Sequence, residues 1–382
     1  FSGYVGTFVG GRHSVSNMRT RPYPFIACDN SNGPYRGRLY LCYASNDPPG
    51  SGNKPDVFLR YSSDQGVTWS SAVKVNDDAN TTMYNQWLPY MYCDFNNGNL
   101  YFQWLDTREV PTGDSCYVYA TMSTDGGATF APNKRVSNAK FKINCTTCGG
   151  GGTPAYEGDY NGMASNGRVS MLAWSDFRQG TFASYVAFYP DFGMKMNKTV
   201  DSLRSLNDST SFYMIVPSVK SYSDTVIISA EVTPTPASGT FTITYPEGTI
   251  LTSYPDSAKI KVATGSTGVT PGTYNLTVTA QGPNGTPIHK RTSTINVVTV
   301  TGVNNNEEIV SGYELQQNYP NPFNPVTKIT YNLAKASSVK MTIFNTLGQA
   351  ITHYNIENQS AGKHEFIFNA GKLSSGVYFY KL

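Results

Sequence analysis

The sequence predicts an all-β chain. Short runs of Tyr, Thr, Val and Ile alternate with clusters of Gly, Asn, Asp and Pro, the pattern of strands and turns. No long segment carries the apolar spacing of a helix. One strand-and-turn unit recurs along the first half. The 382 residues suffice for two or three domains.

The recurrence is clearest at "SSDQGVTW" and "STDGGATF". Ser62, Asp64, Gly66, Thr68 and Trp69 are matched by Ser123, Asp125, Gly127, Thr129 and Phe130. Around them, "GRLYLCYAS" from Gly37, "GNLYFQWLD" from Gly98 and "GRVSMLAWSD" from Gly167 repeat a strand. "FIACDNSNG" and "YMYCDFNNG" precede the first two. Each unit therefore holds about four strands, the signature of a propeller blade. The Asp and Gly of the motif suit a tight turn between strands. The carboxylate accepts backbone N–H groups there, and Gly tolerates positive φ. Trp69 and Phe130 are expected to fold inward. A turn role is preferred to a catalytic one, since catalysis does not need the same group in every blade.

Ser-x-Asp-x-Gly-x-Thr-Trp resembles the Asp-box, or bacterial neuraminidase repeat, of sialidase-like propellers. The likeness spans about residues 1–196. In the third unit only "YPDFG" remains, with Asp191 and Gly193. The resemblance implies a six-bladed ring and a structural box. About three blades are visible, so further blades before Phe1, or contacts from another chain, are expected. It also implies that an active member would carry three arginines, a Tyr–Glu pair and an aspartic acid. No "FRIP" motif marks the first arginine; "TRPYPFIA" is a distant variant. The weak catalytic candidates are Asp106 and Arg108, Asp176 and Arg178, which share a W-x-D-x-R pattern, and Glu157, Asp159 and Tyr160 of "YEGDYNG". An Asp and an Arg two apart on a strand share one face and can pair. A blade-pinning ion pair is the preferred reading.

Six cysteines occur, Cys28, Cys42, Cys93, Cys116, Cys145 and Cys148. Cys145 and Cys148 form a C-T-T-C with no second ligand pair, so no zinc site is expected. Disulfides in an oxidising compartment are expected instead. Cys28–Cys42, Cys93–Cys116 and Cys145–Cys148 are the candidate pairings, although spacing does not fix connectivity. No metal and no cofactor is expected. The net charge of +3, with no long basic block, argues against nucleic acid. No apolar run reaches the roughly 20 residues of a membrane helix. The opening "FSGYVGTFVGGRHS" has neither the basic start nor the apolar run of a signal peptide.

After residue 196 the boxes stop. Runs such as "DTVIISAEV" and "GTYNLTVTA" predict an immunoglobulin-like or fibronectin-like sandwich over 197–300. In "TYNLTVTA", Tyr274, Leu276 and Val278 share one face. Residues 301–312 read as a polar linker. Residues 313–382 predict a small β-sandwich. Tyr319, Pro320, Asn321, Pro322, Phe323, Asn324 and Pro325, then Gly348, then Gly376 and Tyr378, closely resemble the C-terminal sorting domain of type IX secretion cargo. Family members usually run on to a further strand, whereas this sequence stops at Leu382.

The resemblance implies the type IX machinery as partner. It implies passage through the periplasm to the outer surface of a Gram-negative bacterium or beyond it. The function expected is glycan or protein binding in adhesion. Two alternatives stand beside it: a sialidase-type glycoside hydrolase, and a structural subunit of an extracellular assembly that associates through open blade edges.

Overall fold

The structure is a computed structural model that describes residues 7–9, 12–15, 18–20, 23–46, 54–79, 82–112, 114–143, 161–299 and 313–382. Every regular element among them is a strand. The chain divides into two compact units, Phe1–Val298 and Thr299–Leu382.

Two four-stranded antiparallel meanders and a three-stranded one come first. The first blade orders Phe25–Cys28, Leu39–Ser45, Asp56–Ser62 and Val73–Lys74. The second orders Gln86–Cys93, Leu100–Asp106, Ser115–Ser123 and Lys134–Arg135. Phe141–Lys142 adds to its third strand. The third has Gly162–Ser165, Ser170–Asp176 and Ala183–Tyr189.

Strand Leu100–Asp106 shows why the blades stack. All seven of its residues are buried. Leu100, Phe102 and Trp104 enter one core with Tyr40, Cys42, Val57 and Leu59 of the first blade. Tyr101 and Leu105 point the other way, into a core with Leu172 and Trp174 of the third. A strand buried on both faces reads as a nearly continuous apolar run, and "LYFQWL" is one. Val15 and Met18, from a small sheet at residues 7–19, join the second core.

A sandwich follows. One sheet orders Lys195–Met196, Ser209–Val216, Asp256–Thr264 and Phe241–Thr244. The other orders Val200–Arg204, Ile288–Val298, Gly272–Gln281, Val226–Thr233 and Ile250–Leu251. Their inner faces close one core in which Tyr274, Leu276 and Val278 are buried, as their alternation predicts. The second unit packs Glu314–Leu315, Val326–Leu333 and Gly362–Asn369 against Ala350–Gln359, Ser337–Phe344 and Phe379–Lys381. Ile329, Tyr331, Met341, Ile343 and Phe368 fill the space between.

The cysteine pairings at 28–42 and 93–116 are corrected. Cys28, Cys42 and Cys93 are free thiols. On the ladder Cys42 lies opposite Phe25 and Cys28 opposite Leu39. That register offset is about 10 Å along the strands, too far for a bridge. Cys93 lies opposite Leu100, which lies opposite Ser123, at the far end of the strand from Cys116. Burial pushes the Cys42 thiol up and the Cys93 thiol to about 12, so both stay protonated. Cys145 and Cys148 lie outside the described residues.

The two hairpin glycines differ in their surroundings. Both have positive φ, 90° at Gly66 and 87° at Gly127. A Cβ at Gly127 would lie 2.4 Å from Leu59 Cδ2 in the blade junction, whereas at Gly66 the nearest atom is 3.7 Å away. Gly66→Ala should therefore cost about 1–2 kcal/mol from backbone strain alone. Gly127→Ala should cost clearly more, and paired thermal melts check the difference.

Candidate functional site

Both boxes are hydrogen-bonded alike. Ser62 Oγ donates to Asp64 Oδ1 at 2.7 Å and accepts Gly66 N at 2.8 Å. Thr68 N and Thr68 Oγ1 donate to the Asp64 carboxylate at 2.9 and 2.5 Å. Ser123, Asp125, Gly127 and Thr129 repeat these contacts at 2.7, 2.9, 2.9 and 2.5 Å, and Ala128 N adds one at 3.1 Å. Each carboxylate thus closes its own hairpin. Phe130 packs edge-on to Phe102 in the first blade junction, ring centroids 5.5 Å apart. Trp69 is half-buried and donates Nε1 to Gly66 O at 3.1 Å.

Thr68's hydroxyl, Ser62's hydroxyl and Thr68's amide lower Asp64 to about 2. At Asp125 slight burial opposes the shift, but Thr129 and Ser123 outweigh it and also bring the group to about 2.

In the third unit Asp191 takes a different path. It accepts Phe192 N at 2.8 Å and meets His289 Nε2, on the sandwich, at 2.7 Å. Tyr189 Oη donates to Ser221 Oγ at 3.1 Å, and Asn166 Nδ2 to Thr286 Oγ1 at 2.7 Å. Arg168 pairs with Asp224. The degenerate hairpin is where the sandwich docks.

The W-x-D-x-R groups lie at the blade junctions. Asp106 ends its strand and is fully buried. It accepts Trp104 Nε1 at 2.8 Å, Arg108 N at 2.8 Å and Arg108 Nε at 2.9 Å. Arg108 lies beyond the strand, so its guanidinium curls back rather than standing beside the aspartate on one face. It covers the Tyr119 ring at 4.4 Å. Its remaining N–H groups reach Asp77 at 2.6 Å, on the first blade's last turn, and Asn133 at 3.1 Å. The third blade repeats the device. Trp174 Nε1 donates to Asp176 at 2.9 Å, Arg178 N to Asp176 at 3.0 Å, and Arg178 Nη1 donates to Asn138 of the second blade. Asp77 and Asn138 both stand two residues past a buried valine, Val75 and Val136.

Burial pushes the Asp106 carboxyl upward against the pull of Arg108 and the N–H donors. On Arg108, burial is outweighed by Asp106 and Asp77, which hold the guanidinium charged.

A second clasp went unread in the sequence. Asp94, beside Cys93, accepts Gly167 N at 2.7 Å and the Ser165 hydroxyl from the third blade. Its repetition as Asp29 in "CDNSNG" was the signal. Glu157, Asp159 and Tyr160 lie outside the described residues. Among the described residues no group of three or more His, Cys, Asp or Glu could hold a metal ion.

In the second unit the sorting motifs converge. Asn321, Pro322 and Phe323 line a cleft of about 300 Å³ together with Gly376, Val377 and Tyr378. Thr327 Oγ1 donates to Pro320 O at 2.8 Å, and Asn318 N to Tyr380 Oη at 2.8 Å, which fixes the proline-rich segment along the cleft. Asn345 Oδ1 accepts Leu347 N and Gln349 N, both at 3.0 Å, around Gly348. Tyr319, Pro325 and Asn324 lie on the same segment and are exposed.

Residues 317–382 match the family of the secretion system C-terminal sorting domain. The chain carries an export signal for delivery to the cell surface or the extracellular space. No curated protein matches the chain. Among solved structures it is similar to a Fusarium graminearum GH93 alpha-L-arabinofuranosidase bound to arabinobiose, at 11% identity and TM-score 0.32, over 93% of this chain and 95% of that one. It is similar to a Penicillium chrysogenum alpha-L-arabinanase at 12% identity and TM-score 0.31, over 92% and 94%. The Hadza microbial sialidase Hz136 gives 10% identity and TM-score 0.31, over 81% and 62%. Superpositions this loose transfer no site and no activity.

Two outcomes test these assignments. Arg108→Ala strands a buried carboxylate and should cost about 3–5 kcal/mol in denaturant unfolding, with Arg108→Lys recovering only part of it. The box carboxylates, lowered from about 4 to about 2, stabilise the fold above pH ~4, and that contribution is lost as pH falls toward 2. Asp64→Asn with Asp125→Asn should lower the melting temperature at neutral pH and flatten its fall between pH 4 and pH 2. An unchanged slope counts against the assignment.

Proposed function

We propose that this is a protein exported by type IX secretion whose blade module acts at or beyond the outer surface by binding a glycan or a protein, not by turnover. The observation that carries the binding half is where the charged groups go. Asp106, Arg108, Asp176 and Arg178 are spent on one another and on the preceding blade. Asp64 and Asp125 are spent on their own turns. A sialidase-like site instead needs cations and carboxylates converging on open space, unpaired and ready for a substrate.

The export half rests on the match at 317–382 and on the cleft that gathers the two motifs of that segment. A receptor reading this domain would meet Tyr319 and Val377, both exposed beside it. The sandwich serves as a spacer, joined to the blades by Asp191–His289 and Arg168–Asp224.

Removal of residues 313–382 tests the reading in a type IX-competent host. The unit formed by Phe1–Val298 has its own cores and should still fold. It should accumulate in the periplasm, while the full chain is labelled at the surface by a membrane-impermeant reagent. Surface labelling of the truncated chain at the full level contradicts the proposal.

A further inference from the structure

One glycine of the second unit serves nothing inside it. Gly348 takes a φ of 75° in a tight turn, where a side chain would strain the backbone. Gly376 lies outside that left-handed region, and a Cβ built on it meets no described atom within 4 Å. Backbone and packing both admit a larger residue at position 376. Glycine there carries the full entropic cost of its freedom in the unfolded chain, and the fold gains nothing in return.

Gly376 lines the cleft of about 300 Å³ in this unit. The floor of the cleft is the core between the two sheets. Ile329 and Phe368 come from one sheet and Ile343 from the other, each at most 4% exposed. Pro322, Phe323, Val377 and Tyr378 also line it, and among the described residues no charged side chain does. The proline-rich segment is held in place beside it. Tyr319 and Lys328 exchange backbone hydrogen bonds at 2.9 and 3.1 Å, and the prolines fix φ. The cleft is therefore shaped before anything enters it. Glu314 pairs with Asn332. The chain thus enters the unit at the far end of strand Val326–Leu333 from Thr327, which lines the cleft.

We propose that this cleft is the surface the type IX machinery reads, and that its occupant is an apolar side chain, aliphatic or aromatic, of the export receptor. The inference rests on the export reading above and names the contact that reading leaves open. Gly376 is small so that the receptor's side chain can pass it. An uncharged lining over an apolar floor offers an ionic ligand no partner and favours burial of an apolar group. Ligand pockets span about 300 to 1,000 Å³, and this one stands at the small end, which suits a single anchor rather than a whole helix. Val377, 64% exposed, and Tyr319, 82% exposed, flank the opening and lose their solvent in the same contact. A rigid cleft costs the receptor little ordering entropy on this side of the interface.

Folding and export of the full chain test this together, the first on purified protein and the second in a type IX-competent host. Gly376→Ala should melt slightly above the parent, because it removes freedom from the unfolded chain without strain. Gly376→Leu should keep the parent's circular dichroism, since its Cβ meets open space. Its surface labelling by a membrane-impermeant reagent should fall about tenfold, the loss that blocking one anchor contact brings. The chain should be retained in the periplasm, and Gly376→Ala should lose less. Val377→Asp sets a charge at an exposed position on the same rim, outside the core, and should lose labelling as Gly376→Leu does. A folded Gly376→Leu chain, or a Val377→Asp chain, at the parent's surface level overturns the proposal. If those chains reach the surface while removal of residues 313–382 still blocks it, the cleft fails and the export reading stands. Surface labelling of the truncated chain at the full level overturns both.

Discussion

A carboxylate buried at each blade junction organises the rest of the blade module. Asp106 and Asp176 are both inaccessible to solvent. Burying an ion is costly unless its partner and its hydrogen bonds are buried with it. The tryptophan two residues before it and the arginine two residues after it meet that demand, and both stay close because the strand ends there. The arginine has more donors than one carboxylate can use. Its spare N–H groups are aimed at the preceding blade, where Asp77 or Asn138 receives them. The local requirement of one aspartate thus becomes a tie between neighbouring sheets. Apolar burial supplies the bulk of the attraction across a junction, and the polar tie sets which turn of one blade meets which strand end of the next.

Much of this was legible in the chain itself. The strand runs, the paired hairpins and the W-x-D-x-R repeat are local patterns, and each governs atoms a few residues apart. The tail was legible because its prolines and glycines hold a rigid segment against a short strand. Long-range partners were not legible. Nothing near Asp191 announces that its partner is His289, on a strand of the sandwich. Asp77 and Asn138 differ in type and share only their place after a valine. Nearness in sequence does not bring Cys28 and Cys42 together, because the strand ladder places them out of register. Asp94 was not legible either, because its partners Gly167 and Ser165 lie on the next blade, some seventy residues on.

The two units answer different physical demands. The first builds order from repetition, with each blade lending a face to the next and the sandwich meeting the stack where the third hairpin loses its serine. The second is small, and several of its large apolar side chains stay in solvent, among them Tyr319, Leu347, Ile367 and Val377. Such a surface suits a domain that is read by another protein during passage. The free thiols of Cys28, Cys42 and Cys93 fit the same picture, since among the described residues the blades are tied by ion pairs and packing.

Hydrogen exchange on the full chain and on Arg108→Ala tests the central claim most directly. If the buried pair ties the sheets together, losing the guanidinium should lower the protection of amides in both Leu39–Ser62 and Gln86–Ser123, as one cooperative unit. Loss of protection confined to the turn around residues 104–110, with both sheets as protected as in the parent chain, would contradict it.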